Sequence, residues 1–360
     1  MRRSLSILAL SLVTATAALG LGAAERRGAR TAPVAWDPGL AQPLAADDRL
    51  ASAWALPVGD AHGPEDLAPL PDGRLVVGVA DGRLLALDPT GAAPPALLAR
   101  TGGRPLGLAA APDGGLLICD ASEGLLRWSA DEGLRPLATA ADGLPFGFTN
   151  AVDVAADGMV YFTDASWRYG FDDLVVDLLD GRPHGRLLAY DPTTRETRTL
   201  EAELGFANGV AVDPGGDFVL VAETWRYRVL RRWLRGPKAG AAEVFIEGLP
   251  GFPDGISAAP AGGRARFWLS LFSPRSALGD FVAPRPGLRR VLLGLPRALW
   301  PQPARAGIVL GLDQNGAVVD VLRDPSGRQV AGVTSARQVG DQLYLGNLDA
   351  PHLSRLPAPR

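Results

Sequence analysis

Two carboxylates and two carboxamides, Glu65, Asn150, Asn208 and Asp254, open four closely similar stretches of this chain. Each is followed within two residues by an aliphatic, then by a glycine-bearing turn, then by an apolar run, as in Asn150-Ala151-Val152, Asp157-Gly158 and Val160-Tyr161-Phe162. Two more copies lead with Leu106 and Thr334, the last one weaker. Equivalent positions of repeats arranged about an axis converge on it. Carboxylates brought there are costly to bury unless paired or metal-bound, and no Lys or Arg holds an equivalent position. Oxygen-only ligands of mixed charge suit a hard cation, and loose geometry suits Ca²⁺ over Mg²⁺. The expected site is therefore one central divalent cation, calcium, held by Glu65, Asn150, Asn208 and Asp254. Taken singly, Asn208-Gly209 and Asp254-Gly255 also read as turn residues; four in register argue for convergence.

The elements that would position these residues follow from the repeat. The leading positions are 65, 106, 150, 208, 254 and 334. Blade-like units of four short strands take about 40–45 residues each, and three of the five intervals match that length. Asp-Gly and Gly-Gly pairs supply tight hairpin turns. Six copies predict an all-β, six-bladed propeller over residues 55–358, with an irregular β-sandwich array as the alternative. The longest interval implies an insertion at about 273–305.

The 360 residues are 47% apolar and 21% charged, with net charge −3. A weakly acidic chain has no electrostatic reason to bind nucleic acid. The single cysteine, Cys119, excludes an intramolecular disulfide and reads as core; three histidines, His62, His184 and His352, make a three-His zinc site improbable. Arg2 and Arg3 precede an uncharged stretch, Ser4 to Ala24, that ends in small residues. Residues 1–24 are expected to be a cleaved signal peptide or an uncleaved anchor helix, so the chain is exported, either periplasmic or extracellular or held at a membrane. Residues 25–54 read as a linker.

Several stretches resemble the strictosidine synthase-like family: Phe206-Ala207-Asn208-Gly209-Val210-Ala211, Val221-Ala222-Glu223-Thr224, Trp233 through Gly240, and Leu249-Pro250-Gly251-Phe252-Pro253-Asp254-Gly255-Ile256. Gly103 to Gly107 and Gly185 to Leu188 match as well. The resemblance spans about residues 55 to 358. It is similar to the adipocyte plasma membrane-associated branch, within a superfamily that also holds paraoxonases and gluconolactonases. It implies a six-bladed propeller with a channel calcium whose ligands fall on Glu65, Asn150, Asn208 and Asp254. The family's Pro-Asp-Asn reads Pro253-Asp254-Gly255 here, so a fifth ligand is missing and water or substrate would take its place. The catalytic glutamate of true strictosidine synthases falls at Thr334, and the paraoxonase histidine falls at Leu106. An amine–aldehyde ring closure is therefore not expected.

The leading expectation is a calcium-dependent hydrolase of small-molecule esters or lactones, the ion polarising the carbonyl. The alternative is a non-catalytic binding propeller with a structural calcium. No general base is assigned. Asp120 and Asp164 could reach the channel mouth but read better as turn caps, and His184 reads as a solvated loop residue. Phe148, Trp167, Trp225, Phe252 and Thr334 are the substrate-contact candidates, drawn from a wider set with Phe146, Tyr169 and Phe272. Residues 282–305 carry five arginines, no acid, and interleaved Leu, Val and Trp. They read as a basic amphipathic segment on a membrane or over the channel, or as a helix packed on the propeller face.

Overall fold

A computed structural model describes residues 31–359. The expected signal or anchor segment, residues 4–24, lies outside them. No helix among the described residues is long and apolar enough to cross a membrane.

Six four-stranded antiparallel sheets succeed one another along the chain. The innermost strand of each is Leu67–Pro69, Pro105–Ala110, Thr149–Val154, Ala207–Val212, Gly251–Ala258 and Val333–Val339. Each innermost strand contacts the next, and the last returns to the first, which makes a six-bladed propeller. Closure is by the chain's opposite ends. The first strand, Trp54–Pro57, is the outermost strand of the last blade and pairs with His352–Pro357.

The core is a ring of wedges. Between every two neighbouring blades lies one apolar cluster. Side chains alternate across a strand. Leu116 and Ile118 therefore face blade 1, whereas Leu117 and Cys119 face blade 3. This is why Leu116-Leu117-Ile118-Cys119 is apolar without a break. Cys119 is fully buried core.

Two excursions cover one end of the channel. In blade 3, between Asp164 and Gly185, stands helix α1 (Leu174–Asp180), stopped by Gly181 at φ 72°. In blade 5, between Pro274 and Gly307, stand α2 (Ala277–Val282) and α3 (Pro286–Gly294). Ser276 caps α2, its hydroxyl accepting from Gly279 N at 3.2 Å. The excursions pack together through Val176, Leu179, Leu293 and Trp300. The 282–305 segment thus lies on the propeller face and roofs the channel.

Residues 31–48 carry no helix or strand, yet they are tied down along their length. Val34 N donates to Asp180 O (2.9 Å), Trp36 N to Ala283 O (3.3 Å) and Gln42 N to Gly248 O (2.7 Å). Arg275 grips Pro38 O and Gly39 O. Arg289, 1% exposed, donates to Val34 O and Leu178 O, joining this strap to α1 and α3.

Candidate functional site: an oxygen-lined floor under an apolar roof

Five of the six innermost strands share one irregularity at the residue that leads their repeat. Pairing jumps from Pro105 to Leu108, Thr149 to Val152, Ala207 to Val210, Pro253 to Ile256 and Val333 to Ala336, while the partner strand advances two residues. Each is a β-bulge, which re-aims side chains. The residue pairs inside the bulges are Leu106-Gly107, Asn150-Ala151, Asn208-Gly209, Asp254-Gly255 and Thr334-Ser335. In blade 1 Glu65 stands two residues before its strand. The turn reading of Asn208-Gly209 and Asp254-Gly255 is therefore wrong: both dipeptides lie inside strands. Their glycines permit close approach. A Cβ on Gly107 would lie 2.5 Å from Ala151 Cα, and one on Gly209 would overlap Asp254 O and Ile256 N.

The bulges, together with Glu65 ahead of the blade 1 strand, bring Glu65, Asn150, Asn208, Asp254 and Thr334 to the lining of both a narrow axial cavity and a wide outer one. All five are buried, none more than 9% exposed. Thr334 Oγ1 donates to Glu65 O at 2.7 Å and Ser335 Oγ does so at 2.8 Å, which closes the ring between the last blade and the first. Asn208 Nδ2 donates to Thr224 Oγ1 (3.2 Å), whose hydroxyl donates to Pro253 O (2.7 Å). The amide is thereby oriented by the neighbouring blade. No side chain can stand at 255 as a further ligand, because a Cβ there would lie 2.5 Å from Thr334 O.

The electrostatics are those of an acid pair short of counter-charge. Burial pushes the Glu65 carboxyl up to about 7, with Asp66 and Asp349 adding to the shift and Arg104 opposing it. Burial, then the charge of Glu65, drives Asp254 well above the carboxylate range. No Lys or Arg holds a repeat-equivalent position, yet a cation does come near: Arg104 reaches in from the loop before blade 2, its Nε 3.7 Å from Glu65 Oε2. The contact is long, and neither atom has a hydrogen-bond partner among the described residues. Repeat position alone could not show this, since the arginine's length carries it across a blade boundary.

The donor set, two carboxylates and two amide oxygens without sulfur or imidazole, fits a hard cation. The orphaned buried Glu65 Oε2 is the observation that supports it. No group of three or more His, Cys, Asp or Glu side chains suited to a metal occurs among the described residues; here only two of the four donors are of those types.

The narrow cavity holds about 30 Å³, room for roughly one water-sized body. Arg337 shuts the channel below it, bonded to Asp66 (2.9 Å) and Leu108 O (3.2 Å). Above lies an outer cavity of about 230 Å³. Of the expected contact residues, Phe148, Trp225, Phe252 and Thr334 line it, as does Phe272. Trp167 does not. It is 39% exposed and stands edge-on to His184, because α1 takes the channel side of that excursion. Phe146 packs on Phe162 in the wedge between blades, and Tyr169 sits in the roof.

Sequence reasoning missed Trp36, Phe171, Phe206, Tyr227 and the aliphatic faces of α1 and α2, all part of the wall. The signal for α1 was present. The interval from Asn150 to Asn208 exceeds blade length, and Leu174, Val175, Leu178 and Leu179 repeat at helical spacing.

His184 is not solvated. It is 3% exposed, its Nδ1 2.9 Å from Asp177 Oδ1 and its Nε2 3.5 Å from Asp180 Oδ2. Asp177 also accepts from Ser166 Oγ (2.9 Å) and from Nε1 of the wall residue Trp225 (2.8 Å). His184 thus braces the wall and does not line the cavity. Asp120 and Asp164 are caps: Asp120 accepts from Ser122 N and Glu123 N, and Asp164 from Gly147 N, Phe148 N and Arg186.

A family model for strictosidine synthase matches residues 150–237, and one for the strictosidine synthase-like N-terminal region matches 43–87. The adipocyte plasma membrane-associated protein of Bos taurus is 36% identical over 82% of this chain and 76% of its own. Protein strictosidine synthase-like 6 of Arabidopsis thaliana is 34% identical over 87% of this chain and 84% of its own. Among solved structures, a gluconolactonase of Xanthomonas campestris superposes with TM-score 0.60 at 19% identity, covering 91% of this chain and 97% of its own. The calcium-binding protein regucalcin of Agrobacterium tumefaciens gives 0.59 at 15%, covering 88% and 98%. At such identities these two structures attest the propeller fold alone. The curated relatives go further, and the chain belongs to the strictosidine synthase-like family.

Proposed function

We propose that this propeller is a calcium-dependent hydrolase of apolar esters or lactones. The observation that carries the reading is the juxtaposition of an oxygen-lined floor, with two carboxylates buried and short of counter-charge, and an aromatic and aliphatic wall directly above it. Glu65, Asn150, Asn208 and Asp254 would hold the ion. When bound, calcium would polarise the scissile carbonyl and stabilise the oxyanion that develops on it. Phe148, Trp225, Phe252 and Trp36 receive the apolar part of the substrate and direct its carbonyl to the floor. The roof of α1–α3 limits water. Glu65 and Asp254 orient the water that attacks.

The names of the structural neighbours support a lactonase-like chemistry, and the wall narrows it. Few polar side chains line the outer cavity above the floor, so apolar lactones and aryl esters are preferred to sugar lactones. Export, with residues 4–24 as signal or anchor, fits the membrane-associated naming of the relatives.

A second reading keeps the calcium as structural, with the cavity binding a ligand without turnover. It is favoured by Thr334 and Leu106 at the positions of the family acid and the superfamily histidine. No imidazole lines the cavity among the described residues.

One experiment separates them. Aryl esters, an aliphatic lactone and glucono-lactone are offered to the purified chain with calcium or with chelator, and to Asn208→Ala. Chelator-sensitive turnover of the apolar members, lost in Asn208→Ala, supports the hydrolase. Chelator-induced loss of thermal stability without turnover of any member supports the binding module. Purified protein without calcium, and without stabilisation on adding it, removes both.

A further inference from the structure

We propose that the roof face built on α2 and α3 docks on an anionic lipid bilayer. The first observation is where apolar surface concentrates. Of the twelve large hydrophobic side chains exposed among the described residues, five stand within 22 consecutive positions: Leu278, Phe281, Leu288, Val291 and Leu299. A helix that meets only water on its outer side is polar there. On α3 the inner side is already satisfied by Arg289 and Leu293, both buried, while Leu288 and Val291 face out, Val291 being 62% exposed. The helix is apolar on the side the propeller does not cover.

Charge is the second observation. Residues 281–305 contain no Asp or Glu. Asp280, which precedes this stretch, is paired with Arg275, and Asp173 with Arg297. Arg285, Arg290 and Arg305 are exposed and make no ion pair among the described residues. Arg285 lies over the Phe281 ring, its Cζ 4.0 Å from the centroid, so apolar and cationic surface are interleaved. Exposed arginines among apolar side chains complement anionic headgroups over an acyl layer.

The third observation is where the chain arrives. Thr31, the first described residue, is buried, and Val34 is held by Asp180 O and Arg289 in the roof. Seven residue steps separate Thr31 from Ala24, the end of the uncharged stretch, and an extended chain spans at most about 25 Å over that length. If residues 4–24 sit in a bilayer, this face lies beside it. Leu278 belongs both to the exposed patch and to the cavity wall, so the cavity opens at the edge of the docked surface.

The test uses the full chain reconstituted into vesicles, so attachment through residues 4–24 is common to every arm and is not the readout. Cys119 is buried, so an environment-sensitive fluorophore labels Val291→Cys selectively, with Val244→Cys on the outer strand of blade 4 as control. In vesicles of phosphatidylcholine with phosphatidylglycerol, the label at 291 is expected to shift to the blue. Nitroxide-bearing lipid should quench it several-fold more than the label at 244. Adding Arg285→Glu and Arg290→Glu should abolish the difference at unchanged melting temperature. A label at 291 as exposed to water as that at 244 overturns the proposal, and equal burial in pure phosphatidylcholine overturns its anionic part. Burial without vesicles that grows with protein concentration assigns the face to a second copy of the chain and also overturns it.

Discussion

Glu65 and Asp254 give the metal-free axial site its own pH response. An acid whose folded pKa stands above its unfolded value is favoured in its neutral form by folding. The contribution of Glu65 is then fully present below its unfolded pKa near 4.5, falls as pH rises to about 7, and is lost above. For Glu65 the shift corresponds to roughly 3 kcal/mol, with Asp254 adding in the same direction. Calcium binding displaces these protons, so calcium should stabilise more as pH rises through 7. Denaturant midpoints taken at intervals from about pH 5 to about pH 8, with calcium and with chelator, check this. The gap between the two series should widen with pH, and Glu65→Gln should flatten the chelator series. A gap independent of pH would separate these carboxylates from the ion. The residue types were legible because repeat register singles them out. Arg104 was not, since a long side chain crosses between blades and leaves no mark in the spacing.

At the scale of the element, the bulge makes a strand into a binding device. Each of the five bulged inner strands turns one side chain to the axis and follows it with a small residue against the next blade. Gly209→Ala puts a methyl into backbone atoms Asp254 O and Ile256 N, which cannot rotate away. It should cost about 1–3 kcal/mol and weaken calcium stabilisation, because Asn208 and Asp254 flank the displaced backbone. A lowered denaturant midpoint at unchanged slope is the expected result, and wild-type stability would mean the strands can part without loss. In the roof, His184→Ala removes one partner of Asp177 and should cost about 1–3 kcal/mol, while loosening Trp225 in the cavity wall. The checks are the melting temperature and the protection of the Trp225 indole N–H from exchange. Strand repeats were visible because each Asp-Gly or Gly-Gly turn and apolar run recurs at blade length. The bulges were not, because a bulge depends on the partner strand's count. The α1 excursion went unread for another reason: its helical spacing lies among residues whose neighbours are all strands.

For the whole molecule the lesson is that a propeller has no single centre to hold it. Its apolar core is divided among six interfaces, so the ring is as strong as its closure. Sequence repeats count the blades but do not show which strand completes the last one; that role falls to Trp54–Pro57, at the edge of the stretch read as linker. Leu56, 3% exposed, is the residue of this strand that enters the wedge between the last blade and the first. Leu56→Ala should cost about 2–5 kcal/mol, more than its place on an outermost strand would indicate. Because Glu65 and Thr334 face each other across the same seam, the loss should appear in one transition that abolishes calcium binding together with the fold. Calorimetry with calcium decides it. A small early transition confined to the closing strand, with the ion retained, would show that five blades hold the axial site without the seam.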